Sequence, residues 1–306
     1  MTVPALVMCV DNSPRCPICA SENLRVFLDG EELELTPERI GSSRALLSYG
    51  RILRCNDCTF GFRQFRPSDE QLASLYAKAD ASVYEQEMAG RRWSAEKNAG
   101  IVLRHRAVPG RILDVGCASG TFLQVMLEHG WNGDGVEPST VQFAIASKVL
   151  TDRCGLHHCS LQEAKLEGRF DVLSLWDVLE HVADPLGFLE QCKELLTRGG
   201  LIVLNVPDLD SVQARLLGRR WPLLLAEHLN YFNRDSLRQC AARAGLDWVA
   251  TGRRPVAFSS GYILYRLSQH RFPLAATLRT LVGTLALANI RIPIWMGERY
   301  AVLQRP

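Results

Sequence analysis

The stretch Leu113-Asp114-Val115-Gly116-Cys117-Ala118-Ser119-Gly120 decides the fold. A short β-favouring run ends in a turn with small residues at 116, 118 and 120, and TFLQVMLEH (121–129) follows with helical periodicity. The segment therefore reads as strand, tight turn, helix. Small residues let a ligand approach the backbone closely, and the start of the helix offers N–H groups without partners. The third glycine falls at 120 rather than 121, so the spacing is not the dinucleotide fingerprint. A phosphate-binding loop is also excluded, because no Gly-Lys-Ser/Thr ending is present. Asp114 stands just before the glycines and Glu137 at the end of the next apolar run. A carboxylate in that place suits the paired hydroxyls of a ribose. The plain alternative is a ligand-free domain in which both acids only cap helices or end strands.

Working outward, Arg111 to Asp208 alternates short apolar runs (RILDV, GDGVE, FDVLSLWD, LIVLNV) with amphipathic segments (TFLQVMLEH, TVQFAIASKVL, PLGFLEQCKELL). Such alternation predicts an α/β fold with a doubly wound, mostly parallel sheet. Gly199-Gly200 is expected to close a helix before LIVLNV. A helix over 235–244 should stop at Gly245, a strand should follow over 246–249, and a final strand at 300–303 should return to the sheet edge. Upstream, Ser68 and Gln71 have capping-box spacing ahead of Leu72, Leu75 and Tyr76, and a second helix is expected from about Tyr84 to His105. The stretch 258–297 is apolar, but five charged or His positions interrupt it and no uncharged run reaches the length of a membrane span.

Cys16-Pro-Ile-Cys19 and Cys55-Asn-Asp-Cys58 place two pairs of thiols on two tight turns, the donor set of a closed tetrahedral zinc site of structural type. The 35-residue gap between the pairs is longer than in simple zinc modules and reads as an inserted excursion, with four unconnected thiols as the bland alternative. Cysteines 9, 117, 154, 159, 192 and 240 read as small apolar residues.

With these motifs in hand, the sequence resembles the class I S-adenosylmethionine-dependent methyltransferases, carried by LDVGCASG (113–120), GVEPS (135–139), FDVLSLWDVLEHVADP (170–185) and GGLIVLNVPD (199–208). The resemblance implies a seven-stranded sheet with the last strand antiparallel. It implies that Asp114, Gly116, Ala118 and Gly120 form the cofactor loop, with the glycines at the amino acid part, and that Glu137 holds the ribose. It further implies that Ser160 and Leu161 lie near the adenine, and Trp176 and Asp177 near the methionine part. CPIC, CNDC and FRPSDEQLASLY together resemble a bacterial subgroup with an N-terminal zinc-ribbon module, which includes sugar methyltransferases. The expected organisation is a zinc-ribbon-like module (1–67), a helical cap (68–108) and a cofactor-binding domain (109–306) with the apolar insertion at 258–297.

Methyl transfer to a hydroxyl needs donor and acceptor held close and a base for the proton. Two His-bearing motifs qualify, Glu180-His181 and Glu227-His228. EHLNYF (227–232) resembles the segment that sugar methyltransferases place over the acceptor, so His228 is preferred as base. Glu227 would orient it or bind the acceptor, and His181 would shape the cofactor site. Tyr76, Tyr84, Arg92 and Trp93 are candidates for a lid.

The 306 residues carry 10 Cys, a formal charge of +2, 47% hydrophobic and 22% charged residues, which excludes disordered, collagenous and coiled-coil classes. Near-neutral charge gives no bulk pull toward nucleic acid, and the N-terminus lacks a secretory signal pattern, so a cytosolic address is expected. The expected activity is methyl transfer from S-adenosylmethionine to a small-molecule hydroxyl, in a sugar, glycan precursor or secondary metabolite. One rival is an RNA methyltransferase gripping RNA through Arg51, Arg54, Arg63 and Arg66 interleaved with Phe60, Phe62 and Phe65; the acidic run 29–34 speaks against it. Another is a non-catalytic partner-assembly protein. Three readings stand for 258–298: cover for the acceptor, a homodimer face, or peripheral membrane contact.

Overall fold

The computed structural model describes residues 14–31, 35–36, 49–77, 88–150, 154–269 and 290–306. Tyr84 and half of the apolar insertion (270–289) lie outside the described residues. The main body is a seven-stranded sheet in the order β10-β11-β8-β7-β4-β5-β6. Its strands are β4 (Arg111–Val115), β5 (Asn132–Val136), β6 (Gly155–His157), β7 (Phe170–Leu175), β8 (Leu196–Pro207), β10 (Asp247–Ser259) and β11 (Arg291–Gln304). β4, β5, β6, β7 and β8 pair in parallel, and β11 runs antiparallel to both β8 and β10. The central strands are buried on both faces, which is why RILDV and FDVLSL read as nearly continuous apolar runs. Pairing of β4 with β5 on one side and β7 on the other makes its C-terminal end the switch point where ligands sit in such sheets.

The helices are α1 (Asp69–Ala77), α2 (Met88–His105), α3 (Thr121–Glu128), α4 (Thr140–Leu150), α5 (Pro185–Leu195), α6 (Val212–Leu217), α7 (Arg234–Arg243) and α8 (Ser260–Gln269). α1 starts at the expected capping box: Ser68 N–H donates to Gln71 Oε1 (2.9 Å) and Gln71 N–H to Ser68 Oγ (3.3 Å). α7 starts at another, formed by Asn233 and Ser236, and Gly245 follows its end with φ 72°.

Two expectations shift. Gly199-Gly200 does not close α5, which ends at Leu195; Leu196 is already extended and opposite Phe170, whereas Val172 pairs with Leu201. The intervening residues form a bulge in β8, and the left-handed φ of Gly199 (71°) serves that bend. The last strand is also longer than 300–303 and lies inside the sheet, because β10 takes the edge. The described ends of the apolar insertion extend β10 and form α8.

A second, antiparallel sheet has the order β1-β2-β3-β9, from β1 (Leu24–Leu28), β2 (Ile52–Cys55), β3 (Gly61–Arg63) and β9 (Asn230–Tyr231). Its fourth strand comes from the EHLNYF motif: Gly61 pairs with Tyr231 and Phe62 with Asn230. One apolar core joins the Cys turns to the large sheet, running from Cys16, Ile18, Leu53 and Phe60 through Phe232 and Leu237 to Leu173 and Leu204. The Phe60 and Phe232 rings lie 4.9 Å apart. This packing removes the groups that an RNA grip requires. Phe60, Phe62, Phe65 and Arg63 are buried, Arg54 pairs with Asp210 (2.9 Å), and Arg51 pairs with Asp29 (2.8 Å).

Candidate active site

The switch point opens into a cavity of about 520 Å³, walled by the ends of β4, β5 and β7, by α1 and α2, and by residues 223–228 and 254–262. At its β4 end the loop 116–120 turns through left-handed backbone at Gly116 (φ 69°), Ala118 (φ 47°) and Gly120 (φ 74°). The first and last suit glycine. Ala118 accepts a conformation that costs an L-residue about 1–2 kcal/mol, the kind of local strain that collects at ligand sites. Gly116 and Ala118 line the cavity, whereas Gly120 does not. Gly120 is the N-cap of α3, and a Cβ there would come within 2.7 Å of Leu150, so its small size serves helix packing.

Glu137 is buried at the end of β5, with Oε2 accepting from Ala118 N–H (2.9 Å) and Oε1 from Ser139 N–H (2.7 Å). Each oxygen keeps a lone pair for a further donor. Burial pushes Glu137 up to about 7, against those two hydrogen bonds. Asp114 is raised to about 7 as well, by burial and despite the Ser174 hydroxyl donating to Oδ1 (2.7 Å). Ser160, Leu161, Trp176 and Asp177 also line the cavity.

The structure adds residues that the sequence did not mark. Gln142 of α4 is buried with neither amide atom hydrogen-bonded, and Trp176 Nε1 is also unpartnered. Buried polar atoms of this kind call for a polar ligand. Arg254 of β10 is buried among Asp177 (3.1 Å), Glu298 (2.9 Å) and Asn98 (3.1 Å), with its guanidinium 5.6 Å from the Trp176 ring centroid. Burial opposes the charge on Asp177, yet Arg254 and the Asn205 amide hold it below the ordinary carboxylate range. Asp177 itself has a left-handed φ of 56°, clamped by the reciprocal pair with Asn205 (N–H to Oδ1 2.9 Å, Nδ2–H to Oδ1 2.5 Å). Arg254 and Gln142 carry no motif, so only their place in the fold reveals them.

The other end of the cavity holds the two histidines, with ring centroids 4.8 Å apart in an edge-on arrangement. His228 Nδ1 lies 2.9 Å from the Leu223 carbonyl. A carbonyl only accepts, so Nδ1 carries the proton and Nε2 the free lone pair. The Leu223 carbonyl thus orients the His228 ring. Glu227 lines the cavity, and its own carbonyl lies 3.1 Å from His181 Nδ1, which also meets the Tyr76 hydroxyl at 2.8 Å. Burial lowers His181 to about 4 and His228 well below the usual imidazole value. Glu180 joins them, with one ligand-type atom of each residue within 4.8 Å of the others. Its carboxyl is pushed well up by burial and by Asp177, and its Oε2 has no partner. Burial thus favours the uncharged form of all three groups.

The two His-bearing turns are held together by the tail of the Cys module. Arg66 donates to the carbonyls of Leu229 (3.1 Å), Val182 (3.4 Å) and Ala183 and to Asn230 Oδ1 (2.9 Å). Asn230 Nδ2 donates to the carbonyls of Leu179 and Val182 (both 2.8 Å), and the buried Arg63 donates to the Ala226 carbonyl (2.5 Å). Of the lid candidates among the described residues, Tyr76 reaches the site, whereas Arg92 pairs with Glu128 and the Trp93 ring lies under Lys97.

Away from the cavity, Cys16, Cys19, Cys55 and Cys58 bring their sulfurs within 4.8 Å of one another, with Cys16–Cys58 at 3.3 Å and Cys19–Cys55 at 3.5 Å. Both turns end in left-handed residues, Ala20 (φ 59°) and Thr59 (φ 63°). The donor set and clustering fit a four-thiolate zinc site.

Comparison with known proteins agrees with this geometry. The ubiquinone biosynthesis O-methyltransferase of Cereibacter sphaeroides is 30% identical over 149 residues, covering 45% of this chain and 60% of the relative. The mitochondrial enzyme of the same name from Schizosaccharomyces pombe is 32% identical over 125 residues, covering 39% of this chain and 44% of the relative. The match thus spans less than two thirds of these relatives' length. The 1,6-didemethyltoxoflavin N1-methyltransferase of Burkholderia thailandensis, solved with S-adenosylhomocysteine, shares the fold with a TM-score of 0.50 at 15% identity, over 82% of this chain and 97% of that one. A methyltransferase-domain family model matches residues 84–251, more than half of the chain. The chain accordingly belongs to the S-adenosylmethionine-dependent methyltransferase family.

Proposed function

We propose that the protein methylates a hydroxyl of a small-molecule acceptor, with His228 as the base. The observation that carries this reading is the single cavity that has Glu137 and the 116–118 loop at one end and Nε2 of a neutral, carbonyl-oriented His228 at the other. When bound, S-adenosylmethionine supplies a methyl group on a sulfonium, which leaves as a neutral thioether. Glu137 would accept the ribose hydroxyls through its remaining lone pairs, Gly116 and Ala118 would admit the amino acid part against the backbone, and Ser160 and Leu161 would flank the adenine. Trp176 and Asp177 would lie near the methionine part. Asp177, held in its charged form by Arg254 and the Asn205 amide, is the anionic group that the lining offers to a cationic donor.

His228 would take the hydroxyl proton as the oxygen attacks, with Glu227 contacting the acceptor and His181 steered by Tyr76. Phe258 and Tyr262, their rings 5.4 Å apart, line the cavity from the apolar insertion, which supports its role as acceptor cover. The relatives' names carry O-methylation in ubiquinone biosynthesis and no sugar, so the sugar or glycan acceptor is set aside in favour of another small-molecule hydroxyl. We read the four cysteines as ligands of one structural zinc in a ribbon module, the subgroup that the sequence resembles.

Calorimetric titration with S-adenosylmethionine and S-adenosylhomocysteine tests the donor half. Micromolar binding to the wild type, lost in Glu137→Ala, is expected; absence of binding to the wild type would sink the proposal.

A further inference from the structure

α6 and the start of β11 form an exposed surface that the chemistry of the cavity does not use. Residues 215–220, Arg-Leu-Leu-Gly-Arg-Arg, are all exposed, Leu216 to 81%, and Val212 on the same short helix is exposed as well. β11 opens with exposed Ile290, Arg291 and Ile292, and Trp295 is 57% exposed. The two pieces are neighbours. Trp221, just past the Arg pair, donates its indole N–H to the Met296 carbonyl (2.7 Å), and Gly297 abuts Ser211 at the start of α6. Neither 211–220 nor 290–297 contains an acidic residue, and Asp210, the acid beside them, is engaged by Arg54 and Asn233.

We propose that this surface docks the protein on an anionic lipid bilayer. Four arginines (215, 219, 220 and 291) interleaved with exposed leucine, isoleucine and tryptophan match a membrane interface, where apolar side chains enter the acyl boundary and cations meet acidic headgroups. A second copy is a poor occupant, since a two-fold contact would set these arginines against each other. Nucleic acid is disfavoured because the projecting residues between the cations are mainly aliphatic, which cannot stack on bases. Among the described residues no helix is long and apolar enough to cross a membrane, so attachment would be peripheral. Of the insertion, the patch uses residues 290–295, together with α6.

Leu223, Leu225 and Met296, which follow the patch in the chain, line the cavity. An acceptor resident in the bilayer would therefore have a short path to His228. That clause rests on the proposed methyl transfer; the docking itself does not.

The test is co-sedimentation of the full chain with vesicles of phosphatidylcholine alone and with phosphatidylglycerol added. Binding to the anionic vesicles alone, weakened by salt, is expected. The double variant Arg219→Glu/Arg220→Glu should lose at least about thirtyfold in partitioning, at about 1 kcal/mol per cation removed, and Trp295→Ala should weaken binding too. All variants should keep wild-type affinity for S-adenosylhomocysteine, which separates loss of docking from loss of fold. Three results would each overturn the proposal: no vesicle binding, equal binding to both vesicle types, or a solution dimer broken by the Arg variant. Failure of the wild type to bind S-adenosylhomocysteine would instead count against the methyltransferase reading and leave the docking result standing.

Discussion

His228 is held by one hydrogen bond from Nδ1 to a backbone carbonyl, and its burial has removed the charge that a free imidazole would carry in mild acid. Protonation destroys the base, and a lowered pKa moves that loss to lower pH. The acid limb of kcat/KM should therefore fall below the ordinary imidazole value of 6.5. A half-maximal rate at or above that value would contradict the assignment. His228→Ala should reduce kcat by about a hundredfold or more with little change in donor affinity, and His181→Ala should cost less. Asp114 offers a residue-level test of stability. Its folded pKa of about 7 lies above the unfolded 3.8, so the native state holds a proton that the unfolded chain releases. Stability from this group is complete below the lower value and is lost as pH rises toward the upper one. Asp114→Asn keeps an acceptor for Ser174 and removes the ionisation. The variant should gain on the wild type by a few kcal/mol (~1.4 per pH unit) between those two pH values in denaturant titrations.

At the scale of elements, the two His-bearing turns are tied together by Arg66, which reaches them from the tail of the Cys module. Truncating it leaves several buried carbonyls and Asn230 Oδ1 without a charged donor, a loss of about 2–4 kcal/mol. Arg66→Ala should lower both the melting temperature and kcat, and Arg66→Lys should restore little, because a single ammonium cannot span the same acceptors. Full rescue by lysine would show that charge alone matters there. The capping box of α1 was legible in the sequence because it depends on residues three apart. The end of α5 was not, since Gly199 reads the same whether it closes a helix or bends a strand.

Across the whole molecule, the small sheet and the large one share β9's motif and a single apolar core, so they should unfold together. Calorimetric melting is expected to show one transition; a separate early transition for the Cys module would refute the shared core. Metal analysis should find about one zinc per chain, lost in Cys55→Ser, and chelation should lower the temperature of the entire transition, because metal binding is folding free energy for the turns it ties.

The alternation of strand and helix, the small-residue loop after β4, the place of Glu137 at the end of β5 and the two Cys turns were legible in the sequence. Strand and helix periodicity, turn residues and ligand spacing are local properties that survive without contacts. Tertiary structure alone decided what depended on distant segments meeting. It buried the Phe residues of the run at 60–66 in the core and set Arg66 against the two His-bearing turns. It brought Arg254 and Glu298 from β10 and β11 to Asp177, and it set the Leu223 carbonyl against Nδ1 of His228. Burial sets these roles, and burial depends on how the whole chain packs.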